Sequence, residues 1–307
     1  MGFFFLIIFE SYKLVILINL VNIVFIKLLG VYMIPVDDKS QFGSYKPNRV
    51  VAFIINITRS LGSKWISKRL IFILRRIAIY FSKQCLDTVL FDSSLRLYTK
   101  GNVSEKRALF SPQIFEEEER NFIASQASDN SIFIDIGANV GLYSFSVSQK
   151  YKLFENTKIF SLEPHPDLFK RLLYNQNLNS HLPIFPKRIA IMDKRGEFFL
   201  NTPEENLGQG KISQKGELKV EGLSLRGFTE NEAIKRISAI KIDVEGNEEK
   251  VLIPFIVEEN RSLFPDIFVI ENNKDLWKTD LIGSIIAKGF SVEMKTRMNF
   301  ILKKNKR

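Results

Sequence analysis

From residue 132 onward, short apolar runs alternate with segments whose apolar residues recur every three to four positions. The first pattern predicts buried strands, and the second predicts helices that pack on them. We predict strands at 132–136, 158–163, 184–190, 239–243, 266–271, 290–294 and 298–303. We predict helices at 141–150, 167–177, 246–256 and 275–288. This alternation is typical of an α/β fold with a parallel sheet core, and the short connection between the last two strands makes them antiparallel.

The pattern before residue 132 predicts a mainly helical extension. Residues 50–83 have the spacing of two amphipathic helices, the second capped by Ser63, and residues 88–110 alternate as a hairpin does. A further helix is predicted over 113–125. Its acidic run at 116–119 is expected to face solvent in the first helical turn, where the helix dipole favours negative charge.

Residues 3–35 form a strongly apolar segment. It is long enough for a membrane-spanning helix, but Asn19, Asn22 and Lys27 each oppose insertion into a bilayer. Two other interpretations stay open: an apolar helix that packs on the domain, and a chain whose true start lies near Met33. If the segment enters a membrane, the basic stretch after it holds the rest of the protein in the cytoplasm.

The segments divide the chain into three predicted parts. Residues 1–36 are a candidate membrane anchor, residues 37–110 are a basic extension, and residues 111–307 are the α/β domain. Inside this domain, short alternating pieces between 195 and 225 predict an inserted hairpin or loop near the active edge. The extension and this insertion are where we expect the substrate-facing residues, with the extension acting as a lid.

Charge is concentrated before residue 111. Residues 1–110 contain 16 Lys/Arg and 6 Asp/Glu, which accounts for the whole net charge of +10, and residues 111–307 contain 28 of each. Such a block favours an anionic surface, either lipid or nucleic acid, or is a solvated basic face. Basic amphipathic helices can also lie on a membrane surface. The single cysteine, Cys85, cannot form an internal disulfide, so we expect a reducing, cytoplasmic compartment.

A strand, a tight turn and a helix are predicted around Asp135, Gly137, Asn139 and Gly141. The glycines let the backbone turn sharply, and the start of the helix presents free N–H groups to a ligand. A dinucleotide site needs a glycine where Asn139 stands, and Asp135 would repel a pyrophosphate. The turn therefore favours S-adenosylmethionine, whose sulfonium and amine are cationic.

Carboxylates end three further strands: Glu163 ends the second, Asp243 the fourth and Glu271 the fifth, with Glu245 close behind Asp243. Because ligands of open α/β sheets bind beyond the carboxyl ends of the strands, these acids are expected at one edge. Glu163 follows the glycine turn at the distance typical of an acid that accepts hydrogen bonds from ribose hydroxyls. With one cysteine and two histidines, no metal-ligand cluster is expected.

Several motifs resemble the FkbM-type S-adenosylmethionine-dependent methyltransferases. They are FIDIGANVGLYS at 133–144, LEPHP at 162–166 with Asn175 and Asn179 downstream, NLG at 206–208, IKIDVEGNE at 240–248 and PDIFVIE at 265–271. The resemblance implies a seven-stranded Rossmann-like methyltransferase sheet in the order 3-2-1-4-5-7-6, with the last strand antiparallel. It also implies methyl transfer to a hydroxyl oxygen of a sugar, glycolipid or small metabolite, as in glycan modification.

The resemblance also implies roles for residues at matching positions of these motifs. The methionine half of the cofactor is expected to be lined by Asp135, Gly137, Asn139 and Gly141. The ribose is expected to be held by Glu163. Asp243, facing the methyl group, and Glu245 are the candidates for a catalytic base or for positioning of the acceptor.

Two residues close to these motif positions, His165 and Lys241, are assigned no catalytic role. His165 is a third candidate base but is better explained as a helix cap or as a neighbour of the adenine. Lys241 stands inside an apolar strand, and we expect its amine to reach an edge of the sheet.

Two alternative functions remain open on the sequence. The basic extension is compatible with a nucleic-acid methyltransferase, although the D/N-P-P-Y motif of amino-methylating nucleic-acid enzymes is absent. The chain could also be a non-catalytic S-adenosylmethionine-binding module at a membrane. The sequence identifies neither the acceptor nor the oligomeric state.

Overall fold

A computed structural model describes residues 35–203, 205–213, 215–216, 218–258 and 261–306. The candidate membrane anchor within residues 3–35 lies outside these ranges, apart from its last residue. None of the helices in the described ranges is long and apolar enough to cross a membrane.

Six elements of the described ranges precede the α/β sheet. They are helices α1 (Arg49–Ser60) and α2 (Trp65–Phe81), strands β1 (Cys85–Leu90) and β2 (Ser93–Tyr98), and helices α3 (Val103–Phe110) and α4 (Glu117–Ser125). Helix α2 begins after Lys64 without a side-chain cap, so the predicted Ser63 cap is wrong. The hairpin predicted over 88–110 is also too long, because the Asn102 side chain accepts the N–H groups of Ser104 and Glu105 and starts α3.

The remaining elements form two sheets and their helices. The strands are β3 (Ile132–Ile136), β4 (Lys158–Leu162), β5 (Ile184–Lys187), β6 (Ala190–Met192), β7 (Gly196–Asn201), β8 (Lys211–Ser213), β9 (Leu218–Ser224), β10 (Ala239–Ile242), β11 (Ile267–Glu271), β12 (Phe290–Lys295) and β13 (Asn299–Lys304). The helices are α5 (Leu142–Tyr151), α6 (Pro166–Leu178), α7 (Leu225–Asn231), α8 (Glu248–Glu258) and α9 (Leu281–Ala287).

The central sheet has seven strands in the order β5-β4-β3-β10-β11-β13-β12. Strand β13 pairs antiparallel with both of its neighbours, and the other pairs are parallel. The predicted α/β class and the order 3-2-1-4-5-7-6 are therefore confirmed. The strand order reverses between β3 and β10, and a crevice at such a switch point is where ligands bind in open α/β sheets.

The insertion after β5 is larger than the predicted hairpin or loop. The strand predicted over 184–190 is two strands, since β5 ends at Lys187 and β6 joins a second sheet in the order β6-β9-β7-β8. Strands β6 and β9 are parallel, and β7 pairs antiparallel with β8 and β9. This sheet has its own small core, which includes Phe198, Leu200 and Val220.

The β1–β2 hairpin is held against α6 by two side-chain amides. The Asn175 amide accepts the N–H of Arg96 at 2.8 Å and donates to its carbonyl at 3.3 Å. The Asn179 amide makes the same pair of bonds with Ser94, at 3.0 and 2.8 Å. Because β2 has only β1 as a strand neighbour, these amides satisfy backbone groups that a further strand would otherwise pair. Both asparagines therefore have a structural role.

A buried ion pair also joins the extension to α6. The Arg171 guanidinium lies 2.7 Å from the Glu105 carboxylate, and both side chains are at most 1% exposed. The other oxygen of Glu105 accepts the N–H of Tyr98 at 2.8 Å. Burial raises the pKa of Glu105, and the Arg171 charge opposes this shift.

We expect Arg171→Met to lower the free energy of unfolding by about 3–5 kcal/mol, because it leaves a buried carboxylate without its counter-ion. The double variant Glu105→Gln/Arg171→Met removes both charges and should lose less than Arg171→Met alone. Urea denaturation followed by circular dichroism measures both. An equal or larger loss in the double variant would contradict this account of the pair.

Candidate active site

A cleft lies beyond the carboxyl ends of β3, β4 and β10 and has an empty volume of about 910 Å³, including the part open to solvent. Its polar and glycine lining residues include Ser104, Glu116, Gly137, Asn139, Glu163, His165, Gly208, Lys241, Asp243 and Glu245. The structure therefore brings together most of the residues selected from the sequence. Asp135 and Gly141 lie beside the cleft without lining it.

The turn after β3 needs glycine at two positions. Gly137 has φ +79°, and a Cβ there would lie 1.9 Å from the backbone oxygen of Asp243. Gly141 has φ +81°, and its Cβ would lie 2.5 Å from a methyl group of Leu172 on α6. Asn139 between them also has a positive φ, of 55°, a conformation that asparagine tolerates better than most residues. Gly137 thus allows the β3 turn to touch the end of β10.

Glu163 is buried and accepts hydrogen bonds through both carboxylate oxygens. The backbone N–H groups of Asn139 and His165 each donate to it at 2.8 Å. Burial raises the pKa of Glu163 to about 7, and these two N–H groups oppose the rise. A carboxylate has about four acceptor positions, so it can take further hydrogen bonds from a ligand. His165 caps α6, because its Nδ1 accepts the N–H of Asp167 at 3.1 Å.

A loop of the insertion packs on the glycine turn and on the extension. The amide of Asn102 donates to Asn139 Oδ1 at 2.6 Å. The N–H of Leu207 donates to the carbonyl of Gly101 at 2.9 Å. A Cβ at Gly208 would lie 2.7 Å from the Asn139 amide nitrogen. The 206–208 motif and the start of α3 therefore meet over the turn, a contact that motif spacing alone does not reveal.

Lys241 corrects an expectation from the sequence. Its amine does not reach an edge of the sheet; the residue is 4% exposed and its Nζ lies 3.2 Å from Asp243 and 3.9 Å from Asp135. It also lies 5.2 Å from the centre of the Tyr143 ring. Burial lowers the pKa of Lys241, but the charges of Asp243, Asp135 and Glu116 outweigh burial and raise it overall. The lysine is therefore a fixed cation beneath the cleft.

Asp135 lies below the floor of the cleft and is fully buried. One of its oxygens accepts the Ser144 hydroxyl at 2.7 Å, and this hydroxyl accepts that of Ser161 at 2.7 Å. The other oxygen, Oδ1, has no hydrogen-bond partner among the described residues. Burial raises the pKa of Asp135, and Lys241 opposes this rise.

Asp243 and Glu271 are neighbouring carboxyl groups at the ends of β10 and β11. Burial raises the pKa of Asp243, but Lys241 and the hydrogen bond with Glu271 outweigh it, so its pKa lies below the ordinary value. Burial and the Asp243 charge raise the pKa of Glu271 to about 9. At neutral pH Glu271 is therefore protonated, and Asp243 is an ionised carboxylate. The Asp243 side chain is 34% exposed and can meet a ligand.

Glu245 stands on the loop after β10 with a positive φ of 54°. Burial raises its pKa to about 7, and the charges of Asp243 and Glu248 add to the rise. Glu248 holds this loop in place, since one of its oxygens accepts the N–H groups of Val244 and Gly246 at 3.2 and 3.1 Å. The loop thus carries an acid that faces the cleft, and the first residue of α8 holds this loop in place.

The acidic run at 116–119 is only partly solvated, in contrast to the prediction. Glu117 and Glu118 are exposed, but Glu116 lines the cleft and Glu119 is 4% exposed. Glu119 accepts hydrogen bonds from Thr296 and Asn299 at the start of β13. These contacts turn the first residue of the run toward the site, where burial raises the pKa of Glu116.

Comparison with known proteins agrees with this geometry. Residues 135–287 match the Methyltransferase FkbM domain. The hexuronic acid methyltransferase AglP of Haloferax volcanii is 26% identical over 138 residues, which cover 45% of this chain and 55% of AglP. The matched part thus spans about half the length of this curated relative.

Two solved structures also resemble the chain at low similarity. One is a methyltransferase FkbM from Methylobacillus flagellatus KT, with 16% identity, a TM-score of 0.37, and coverage of 65% of this chain and 54% of that chain. The other is a precorrin-6y C5,15-methyltransferase from Geobacter metallireducens GS-15, with 15% identity, a TM-score of 0.36, and coverage of 62% and 88%.

The strand order, the glycine turn and the acids around it define the class of S-adenosylmethionine-dependent methyltransferases. Within this class the chain belongs to the FkbM family, through its domain at residues 135–287.

The cofactor of this class, S-adenosylmethionine, fits the residues present. Among the described residues, four carboxylic acids and one lysine line the cleft, which suits a ligand with cationic sulfonium and ammonium groups. The buried oxygen of Asp135 that lacks a hydrogen bond lies close beneath them. The apolar residues Leu168, Ile189 and Ile191 add a surface for a flat ring.

We expect Gly137→Ala to lower the free energy of unfolding by more than about 2 kcal/mol, since the new Cβ would meet the Asp243 carbonyl in addition to the left-handed strain. Gly101→Ala is a matched control, because Gly101 has φ +71° and open space around its Cβ position. Its loss should be only about 1–2 kcal/mol. Urea denaturation compares the two, and equal losses would show that the close approach to Asp243 is not limiting.

Proposed function

We propose that this protein transfers a methyl group from S-adenosylmethionine to a hydroxyl oxygen of a sugar, with a hexuronic acid as the first acceptor to test. The observation that carries the proposal is the position of the Asp243 carboxylate, which lines the cleft, is 34% exposed and lies 3.2 Å from the Lys241 ammonium. The 26% identity with a hexuronic acid methyltransferase supports the choice of acceptor.

We infer that Glu163 accepts hydrogen bonds from the cofactor ribose. Its carboxylate is held by two backbone N–H groups and keeps acceptor positions free. Gly137 and Asn139 would line the methionine half. Asp135 and Gly141 would act from behind the turn, Asp135 through its charge and Gly141 by allowing α5 to approach α6.

S-adenosylmethionine, when bound, supplies an electrophilic methyl group. The chain's part in the transfer is to hold the acceptor oxygen in line and to accept its proton. Asp243 suits both tasks, because Lys241 and Glu271 keep it ionised and fix its position. Glu245, whose pKa is about 7, is the second candidate base.

The acceptor would enter from the side of the insertion. An open polar cleft next to Glu245 is lined by residues that include Asn201, Gln209 and Lys211. Side-chain amides suit hydroxyl groups, and the lysine suits the carboxylate of a sugar acid. Ser104, at the start of α3, also lines the main cleft. This position supports the proposal that the 37–110 extension helps to enclose the substrate.

Cofactor affinity is expected to rise by about ninefold between pH 6 and pH 8. Because the pKa of Glu163 is raised to about 7, about 10% of this acid is ionised at pH 6 and about 90% at pH 8, and the ionised form is the better acceptor for ribose hydroxyls. Isothermal titration calorimetry measures this dependence.

Two variants assign this pH dependence to one acid. Glu163→Gln should bind the cofactor weakly and lose most of the dependence. Glu245→Gln removes an acid with the same pKa and should keep it. An unchanged pH dependence in Glu163→Gln would contradict the ribose assignment.

Asp243→Asn is expected to lower kcat by about 10²- to 10⁴-fold, because an amide cannot accept the hydroxyl proton. The assay measures labelled methyl transfer from S-adenosylmethionine to methyl glucuronoside, with methyl glucoside as the uncharged comparison. Asp193→Asn, an acid-to-amide change at an exposed position of the insertion, is the control and should keep full activity.

Cofactor binding without transfer to any sugar would contradict the proposed reaction and favour a non-catalytic binding module. Methylation of RNA or DNA in its place would favour the nucleic-acid alternative.

A further inference from the structure

Helix α2 presents an exposed apolar stripe. We define the apolar stripe as Ile66, Leu70, Ile73 and Ile77, which are 73%, 41%, 55% and 42% exposed. Their spacing of three and four residues places them on one side of the helix. Only Ile71 and Ala78 of this 17-residue helix are buried. Exposure of four large aliphatic side chains in a row is unusual for a surface in contact with water alone.

Aromatic residues extend the same surface. Trp65 at the start of α2 is 68% exposed, and Phe81 at its end is 53% exposed. Phe53 of α1, the helix that packs against α2, is 65% exposed. Aromatic side chains at the ends of an apolar face are typical of helices that lie at a membrane–water interface.

Basic residues flank the apolar stripe, and no acid accompanies them. Residues 39–86 contain ten Lys/Arg and no Asp/Glu. Lys68, Arg69 and Arg76 on α2 are exposed, and none of the ten basic residues forms a salt bridge with another described residue. The patch is therefore strongly cationic and is not neutralised by the part of the chain that the structure describes.

We propose that α2 binds the surface of an anionic lipid bilayer, with its axis parallel to the membrane plane. The apolar stripe and Trp65 would enter the boundary between headgroups and acyl chains, while Arg69 and Arg76, which flank the stripe on α2, contact lipid phosphates. This inference does not depend on the proposed acceptor or on methyl transfer.

Charge and apolar area together favour an anionic bilayer over the other occupants of this surface. Residues 1–34 contain Glu10 against Lys13 and Lys27, so they cannot neutralise the patch. A second copy would bring the same basic residues and repel. A nucleic acid would neutralise the charges but would leave the apolar stripe in water. An anionic bilayer meets both requirements.

The test is sedimentation of the full chain with vesicles of phosphatidylcholine alone and of phosphatidylcholine with 30% phosphatidylglycerol. Binding to the anionic vesicles is expected to be at least about tenfold stronger and to weaken as salt rises. Ile66→Ser/Leu70→Ser/Ile73→Ser/Ile77→Ser should reduce it by about tenfold or more. Lys68→Gln/Arg69→Gln/Arg76→Gln should reduce it similarly and make the residual binding less sensitive to salt.

Leu153→Ser/Val257→Ser/Val292→Ser changes exposed aliphatic residues elsewhere and should bind as the unaltered chain does. All variants retain residues 1–34, so a difference between them reports on α2. Equal binding of the stripe variant and the unaltered chain would overturn the proposal, as would equal binding to neutral and anionic vesicles. Loss of self-association in the stripe variant, without a change in vesicle binding, would also overturn it and favour a second copy.

The fluorescence of Trp65 reports directly on the insertion of α2 into the bilayer. In the Trp277→Phe background its emission should shift to shorter wavelength on anionic vesicles and be quenched by lipids brominated on their acyl chains. Because this measurement uses the unaltered stripe, it does not depend on how the serine variants fold. Absence of both the shift and the quenching would overturn the proposal.

Discussion

The Lys241 ammonium, buried between Asp135 and Asp243, is the interaction on which the site depends. Two carboxylates at the ends of neighbouring strands would repel each other in a buried environment, and protonation would relieve the repulsion. Lys241, 3.9 Å from one and 3.2 Å from the other, favours the charged form of both. It also explains why Glu271 is protonated while Asp243 is ionised. One residue of the floor thus sets the charge of an acid on the surface of the cleft.

Residues of the 37–110 extension also help to hold the cleft of the α/β domain in place. Asn102 caps α3 and also binds Asn139 in the glycine turn, so the position of the turn depends on a residue outside the α/β sheet. One hydrophobic core includes Val51 and Leu86 together with Phe133 and Ile159. The division of the chain at residue 110 stays a prediction. In this core, residues on both sides of position 110 bury each other.

Residue patterns within one short stretch of the chain predicted the features that depend on that stretch alone. Gly137 and Glu163 could be inferred because a strand, a turn and an acid at a fixed distance belong to one supersecondary unit. The order of the sheet, in contrast, followed from the resemblance to the FkbM-type methyltransferases. The buried position of Lys241 was missed because one of its two partners, Asp135, lies on another strand. Lys241 pairs in register with Asp135, so the implied neighbourhood of β3 and β10 was the signal that could have found it. The inward turn of Glu116 depends on contacts of Glu116 and Glu119 with Asn299 of β13, 183 and 180 residues away, and no local pattern contains them.

The charges of the two functional surfaces are opposite, and this constrains what can reach the cleft. The lining acids attract a cationic cofactor, whereas they repel a polyanion such as RNA or DNA. The basic excess of residues 39–86 therefore does not argue for a nucleic-acid acceptor, because the charges that would bind it are not those that would surround the reacting atoms. The lining acids repel a single sugar carboxylate less strongly than they repel a polyanion. It can be met by Lys211 at the rim while the hydroxyl to be methylated points toward Asp243, so an acidic sugar fits this distribution of charge where a polyanion does not.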